Sequence, residues 1–285
     1  MKLRPRFSEN NSHLSSTKKT LGANSQQWGQ VSSQSQQETQ PRQSSNQVLT
    51  VEKSSRSLIV GGTGTGKSTL AKELIAKWMQ NYPKSIIVIL DSKPRWRGEI
   101  RANGLLAKKL YRGMDHGEVL EGAVVCTSPE EFSAAWSEWR SKRPIIVQED
   151  KDLDFHAWAV DQIYTLSKKE RLPILIYVDE TMDHFHPSTQ PRSRGFGYSF
   201  TRICRSGREL GIAAIFASQR TKSIPTSVLE EMSTLYLFEL DFEQDVKRLQ
   251  EMGVSGNIPK PKEHVFYQYV RKGKHWRGPY KLAIK

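Results

Sequence analysis

The sequence predicts an α/β fold of three layers, a mainly parallel central sheet between two layers of helices, preceded by a disordered N-terminal tail. Three observations predict it. From about residue 57 onward, short runs rich in Ile, Leu and Val alternate with helical patterns. Several of these runs are apolar throughout, not alternating, which requires burial on both faces and therefore helices on both sides of the sheet. The first fifty residues are instead dominated by Ser, Gln, Asn and Thr with scattered Lys and Arg, and bury too little apolar surface to offset the entropy of ordering. The expected division is a polar tail over 1–50 and one folded domain over 51–285, a length that a single core can serve.

Taken in order, strands are expected at 57–60, 86–90, 123–126, 145–148, 174–178, 212–216 and 234–239. The helix after the first strand has a clear buried stripe: Leu70, Leu74 and Trp78 fall at i, i+4 and i+8, Ile75 and Met79 widen it, and Pro83 closes it. Near the C-terminus, 264–270 reads as a strand, Arg271, Lys272, Gly273 and Lys274 as a turn, and 276–284 as the return strand of a hairpin at the sheet edge. No internal repeat is evident.

Charge and composition restrict the partners. Lys and Arg number 43 against 30 Asp and Glu, a formal net charge of +13, which suits a polyanion such as nucleic acid or an anionic membrane surface, or a basic surface kept for solubility. No apolar run approaches the roughly 18 residues that span a bilayer. Nor does an apolar segment follow Lys2 and Arg4 to make a secretory signal, so a cytosolic protein is expected. The two cysteines, Cys126 and Cys204, lack metal-ligand spacing and read as buried structural thiols.

The strongest local signal is Gly61, Gly62, Thr63, Gly64, Thr65, Gly66, Lys67 and Ser68, which satisfies G-x-x-x-x-G-K-[ST] between a strand and an amphipathic helix. Glycines let the backbone curl so that successive N–H groups converge on phosphate oxygens, and the helix N-terminus adds partial positive charge. Lys67 is then placed for the β- and γ-phosphates, Ser68 for Mg2+, and Thr69 extends the cradle into the helix. The predicted ligands are ATP and Mg2+.

A second signal stands at the end of the buried run 172–178, where Asp179 and Glu180 reach the strand edge at which parallel α/β sheets bind ligands. Asp179 suits the Mg2+ shell, as Walker-B aspartates do. Glu180 suits orientation and deprotonation of the attacking water. A dedicated base beside the metal ligand favours hydrolysis over phosphoryl transfer to a small acceptor, from which water must be kept out. His184 and His186 follow, and read as surface residues of a loop in preference to a metal pair.

The order of motifs resembles the FtsK/HerA superfamily of DNA-pumping ATPases, within the RecA/ASCE-like, additional-strand branch of three-layer P-loop NTPases. Asp91, Ser92 and Lys93 look like the family's Asp-Pro-Lys, with Ser in place of Pro. Arg205, Ser206, Gly207, Arg208, Glu209, Leu210 and Gly211 resemble its Gly-Arg element. Ala217, Ser218, Gln219 and Arg220 resemble its Ala-Thr-Gln-Arg-Pro, with Ser for Thr and Thr221 where Pro is usual. The likeness covers about 57–253. It implies that Gln219 is a polar sensor of the γ-phosphate or its water.

A basic helix is expected over about 196–209, on which Arg202, Arg205 and Arg208 fall within about a 120° arc and could face one partner. In a ring, such an arginine enters a neighbour's ATP site; Arg208 is the first candidate and Arg205 the second. A solvated charged face is the competing explanation. The Gly/Ser/Pro-rich loop with Arg192 and Arg194, and the cluster Lys93, Arg95 and Arg97, are candidate contacts to DNA phosphates. An ordinary solvated loop explains them equally well.

Relatives with this core that are membrane-anchored or carry an N-terminal barrel fit less well, since the sequence shows neither a span nor a barrel. The resemblance therefore implies a compact dsDNA translocase like the genome-packaging ATPases of membrane-containing viruses with double-jelly-roll capsids. Such a protein would act as a homo-oligomeric ring, hexamer or pentamer, on a capsid vertex or beside viral membrane proteins, in host cytoplasm or virion. Two alternatives stand: a cellular or plasmid-borne DNA translocase or helicase, and an ATP-dependent switch that binds a protein and has no DNA track.

Overall fold

The computed structural model describes residues 49–92, 124–138, 145–148, 154–185, 196–222 and 224–282. The tail predicted over 1–50 lies outside the described residues except for Leu49 and Thr50, and Leu49 is already buried beside Val51. In chain order the elements are β1 (Arg56–Val60), α1 (Lys67–Asn81), β2 (Ile86–Asp91), β3 (Val124–Cys126), α2 (Pro129–Ser137), β4 (Ile145–Gln148), α3 (Asp154–Glu170) and β5 (Ile174–Val178). They continue with α4 (Thr181–Phe185), α5 (Phe196–Ser206), β6 (Ile212–Ser218), α6 (Thr226–Leu229), β7 (Thr234–Leu237), α7 (Glu243–Glu251), β8 (Val265–Val270) and β9 (His275–Lys281).

The described strands form one nine-stranded sheet in the order β3-β4-β2-β5-β6-β1-β7-β8-β9. Pairing is parallel from β3 through β7, and antiparallel for β7–β8 and β8–β9. The C-terminal hairpin is thus the sheet edge, as its turn signal predicts.

The all-apolar runs explain the layers. In β2 the side chains of Ile86, Val88 and Leu90 join a core that includes Phe132 of α2, Ile163 of α3 and Phe200 and Ile203 of α5. Ile87 and Ile89 point the other way, into a core with Leu70, Leu74, Ile75 and Trp78 of α1. Because strand side chains alternate between faces, one apolar run serves both cores only when helices cover both sides. Leu49, Val51, Phe266 and Leu282 complete the α1 side. Both cysteines lie buried, and desolvation pushes each thiol up to about 12, so neither is a thiolate at neutral pH.

One topological detail positions the site. β6 lies between β1, which leads into the glycine-rich loop, and β5, which leads into Asp179 and Glu180. The C-terminal ends of β1 and β5 are therefore about 10 Å apart, twice the roughly 4.8 Å strand spacing. No helix among the described residues is long and apolar enough to cross a membrane.

Candidate nucleotide site

The loop after β1 is pinned at both flanks before it curls. The Gly61 amide donates to the Ser218 carbonyl at the end of β6 at 3.3 Å, and the Gly62 amide donates to the Glu239 carbonyl beyond β7 at 2.7 Å. Two glycines are required by the geometry. A Cβ at Gly61 would stand 2.4 Å from Phe238 Cβ, and Gly66, at φ 109°, would place one 2.4 Å from Leu282. Gly66 is also the N-cap of α1 and offers no side chain to the first amides of that helix. Those amides carry the positive end of the helix dipole into the curl. Thr65 Oγ1 donates to the Gly62 carbonyl at 2.9 Å, closing the loop on itself. Lys67 Nζ donates to the Gly61 and Gly62 carbonyls at 2.8 and 2.6 Å, so the ammonium lies inside the curl.

Opposite the loop, β5 ends in the two predicted acids. Asp179 and Glu180 are both buried. The Asp179 amide donates to the Leu90 carbonyl of β2, and the Tyr177 hydroxyl donates to Asp179 Oδ1 at 3.0 Å. Burial, and then the adjacent Asp179 carboxylate, push the Tyr177 hydroxyl well above its ordinary range, so it remains a donor at neutral pH. Asp91, at the end of β2, is buried in the same group of acids.

Glu180 sits in the left-handed region at φ 49°, which costs a non-glycine residue of order 1–3 kcal/mol. Gln219, just after β6, holds this carboxylate: its Nε2 donates to Glu180 Oε2 at 2.7 Å, and its backbone N–H reaches Oε1 at 3.4 Å. At its other end Gln219 Oε1 accepts from the Thr63 hydroxyl at 3.1 Å. Gln219 therefore bridges the glycine-rich loop and the acid pair across β6.

The histidines differ from the sequence expectation. His184 is buried on α4, not on the surface of a loop. Its Nδ1 lies 3.2 Å from the Glu180 carbonyl, and its Nε2 lies 3.0 Å from Nδ1 of the equally buried His156 on α3. His156 Nε2 lies 3.0 Å from the Val147 carbonyl of β4. Desolvation pulls His156 down to about 4; desolvation and then His156 pull His184 well below its usual value. These rings are neutral packing elements under the acid pair at pH 7. His186 lies outside the described residues.

The arginines also separate. α5 ends at Ser206, and residues 207–211 form a turn closed at Gly211, which stands at φ 74° with its amide on the Arg208 carbonyl and the Ile212 amide on the Gly207 carbonyl, so Arg208 lies in that turn. A Cβ at Gly207 would stand 2.5 Å from the Ile203 carbonyl and 3.1 Å from the Arg56 guanidinium. Arg202 lies against α3, 3.4 Å from Asp161 Oδ1 with its guanidinium 3.7 Å from the Tyr164 ring centre. Arg205 and Arg208 are exposed, whereas Arg202 is half-buried against α3. Arg208 precedes β6, whereas Gln219 follows it, and the seven residues of that strand span roughly 20 Å at about 3.3 Å per residue. Arg208 thus lies at the opposite edge of the sheet from this chain's own glycine-rich loop. Arg192, Arg194, Lys93, Arg95 and Arg97 lie outside the described residues.

The donor set fits a magnesium–nucleotide group. The curl presents backbone amides and an ammonium; Ser68 stands in the first turn of α1; a buried carboxylate, Asp179, waits across β6 with its orientation fixed by Tyr177. Sequence reasoning did not single out Tyr177, His156 or Asp245, whose parts come from packing between distant segments. For Tyr177 a signal was available: it stands two residues before Asp179 on a strand, so their side chains share a face.

No family model and no curated protein sequence matches this chain. Solved structures do. The genome packaging NTPase of Sulfolobus turreted icosahedral virus 2 in complex with ATP-γS is similar at 15% identity with a TM-score of 0.58, covering 80% of this chain and 98% of that one. The DNA-packaging ATPase of Sulfolobus turreted icosahedral virus is similar at 15% identity and a TM-score of 0.57, covering 81% and 98%. At this identity the likeness shows the fold alone, a mainly parallel α/β sheet shared with these packaging NTPases.

Proposed function

We propose that the chain is an ATP hydrolase that moves double-stranded DNA, working as a homo-oligomeric ring in the packaging of a viral genome. One observation carries the hydrolytic part: Gln219 touches Thr63 of the glycine-rich loop and Glu180 at once, so a buried carboxylate is held facing the place where a terminal phosphate would lie. A likeness in fold to two viral packaging NTPases, one in complex with ATP-γS, supports the rest.

In this reading Gly61 and Gly62, whose amides are held by the Ser218 and Glu239 carbonyls, shape the cradle, and the loop amides from Thr63 to Thr69 with the Lys67 ammonium bind the β- and γ-phosphates. Ser68 and Asp179 hold Mg2+, which when bound offsets charge on the phosphate oxygens. Glu180 accepts the proton of the attacking water, while Gln219 fixes the carboxylate plane and senses the γ-phosphate. Arg208, or Arg205, is too far along the sheet to serve its own site and would act on the neighbouring copy's nucleotide. Arg192, Arg194, Lys93 and Arg95 would meet DNA phosphates, a sequence-independent grip that a motor needs.

The test is ATP hydrolysis by purified protein with duplex DNA, single strands and RNA at two salt concentrations, with Lys67→Ala as control. The expected result is stimulation by duplex DNA that falls steeply with salt, and a loss of at least about 10²-fold in Lys67→Ala. Near-normal turnover by Lys67→Ala overturns the nucleotide site. Robust hydrolysis indifferent to every nucleic acid overturns the motor and favours a protein-binding switch.

A further inference from the structure

Gln219 needs a fixed backbone to hold Glu180, and the structure shows what fixes it. Asp245, in the first turn of α7, is buried, yet its carboxylate does not cap its own helix. It turns to the segment after β6 and gathers its donors. Oδ1 accepts from the Thr221 amide at 2.8 Å and the Lys222 amide at 3.2 Å, with the Thr221 hydroxyl at 2.9 Å. Oδ2 accepts from Arg220 Nε at 2.7 Å. The Arg220 guanidinium then lies 3.8 Å from the centre of the Phe242 ring, just before α7. Phe242 is the exposed large hydrophobic residue among those described, and Arg220 covers it.

We infer that Asp245 is a positioning residue for hydrolysis: by clamping Arg220, Thr221 and Lys222 it sets the direction in which Gln219 leaves β6, and so the placement of Glu180. This rests on the reading of Gln219 and Glu180 given above. The energetics favour a specific role. A buried carboxylate is costly unless several donors satisfy it, and here all of its donors come from the three residues following Gln219. A carboxylate kept only for helix stability would stay at the amides of its own first turn, where the dipole favours it.

The experiment is a double-mutant cycle on the full chain with Asp245→Asn, Gln219→Ala and the combined variant. Asn keeps the shape but sets an N–H against one group of donors. Asp245→Asn is expected to lower kcat at least about 10-fold with KM for ATP within about 2-fold, the pattern of an interaction expressed in the transition state. In the Gln219→Ala background the same change should alter kcat by less than about 2-fold, because the residue it acts through is gone. Equal losses in both backgrounds, or a raised KM with unchanged kcat, overturn the inference, since a merely structural residue gives additive effects.

Should Asp245→Asn fail to fold, Thr221→Val, which removes one bond of the clamp, must show the same dependence on Gln219 in smaller measure. Amide hydrogen exchange at Thr221 and Lys222 reads the clamp without any ATPase assay, and unchanged protection in Asp245→Asn overturns it. Failure of the underlying reading looks different: there Lys67→Ala hydrolyses ATP as well as the parent does.

Discussion

The parallel strands of this protein have two ends of opposite chemistry. At their C-terminal ends Asp91, Asp179 and Glu180 are buried side by side, with a strained backbone at Glu180. At their N-terminal ends the buried charge is a cation, Arg56, at the start of β1, with Lys53, Arg171 and Arg208 exposed around a groove of about 680 Å³. The partners differ in kind. The acids are held by side chains, Tyr177 from β5 itself and Gln219 from the end of the neighbouring β6, whose positions depend on how those strands end. Arg56 is held by backbone: its guanidinium donates to the Ser54 carbonyl and, at 2.7 Å, to the Ile203 carbonyl at the end of α5. Side-chain clamps can rearrange when a ligand competes for them, whereas a guanidinium buried on carbonyls can only be lost. The first end is built for chemistry and the second for cohesion.

Removing Arg56 is the hardest blow to that contrast. Burial lowers its pKa, yet its charge satisfies the buried Ile203 contact and the half-buried Ser54 carbonyl. Arg56→Ala should leave the Ile203 and Ser54 carbonyls unpaired beside a cavity, at about 3 kcal/mol. Urea unfolding checks it, and ATP turnover per folded molecule should be unchanged. A folded variant of normal stability but lost turnover would mean that the basal edge is not merely cohesive.

The histidine pair sharpens the contrast from the other end. His156 and His184 are depressed in the folded protein, His156 to about 4 from 6.5, so between these values the unfolded chain binds more protons than the native one. Stability must therefore rise with pH across this window and be lost as pH falls from about 6.5 toward 4. From His156 alone the loss at pH 5 is about 2 kcal/mol, 1.36 kcal/mol for each unit of pH. Melting between pH 7 and 5 should show it. His156→Gln, which keeps a donor for the Val147 carbonyl, should flatten that acid limb; a limb of unchanged slope would mean that other groups titrate there.

The sequence carried the elements better than the contacts between them. The central strands could be read because burial on both faces leaves its mark within four to seven consecutive residues, as in 86–90 or 174–178, and the edge hairpin because of its turn residues. The glycine-rich loop could be read because its function depends on local backbone freedom. What joins Glu180 to Gln219 spans 39 residues of chain, and what joins Thr221 to Asp245 spans 24. Hydrophobic periodicity records which face a residue takes, not which distant side chain it meets. His184 followed a strand end and so read as a loop residue; the packing of His156 of α3 and Phe200 of α5 against it buries it. The arginine arc was drawn on a helix continued to 209, whereas the helix ends at Ser206 and the turn that follows is closed by Gly211 at φ 74°, so Arg208 belongs to the turn.

Arg208 itself is where the two ends would have to meet, and its effect on the isolated chain is the smallest of these. Its side chain is exposed, and its carbonyl, which accepts from the Ser54 hydroxyl at 2.8 Å, survives any substitution. Arg208→Ala should therefore change stability by no more than about 0.5 kcal/mol. A residue at the far edge of the sheet contributes nothing to its own nucleotide site, so any loss of hydrolysis must come from the neighbouring copy. The decisive measurement mixes Arg208→Ala with Lys67→Ala protein. In a head-to-tail ring some interfaces then pair the intact loop of the first with the intact arginine of the second, and activity should reappear above the sum of the two preparations. Activity that stays at that sum would leave Arg208 a solvated charge on a cohesive edge, and the opposition between the two ends would stop at the boundary of one chain.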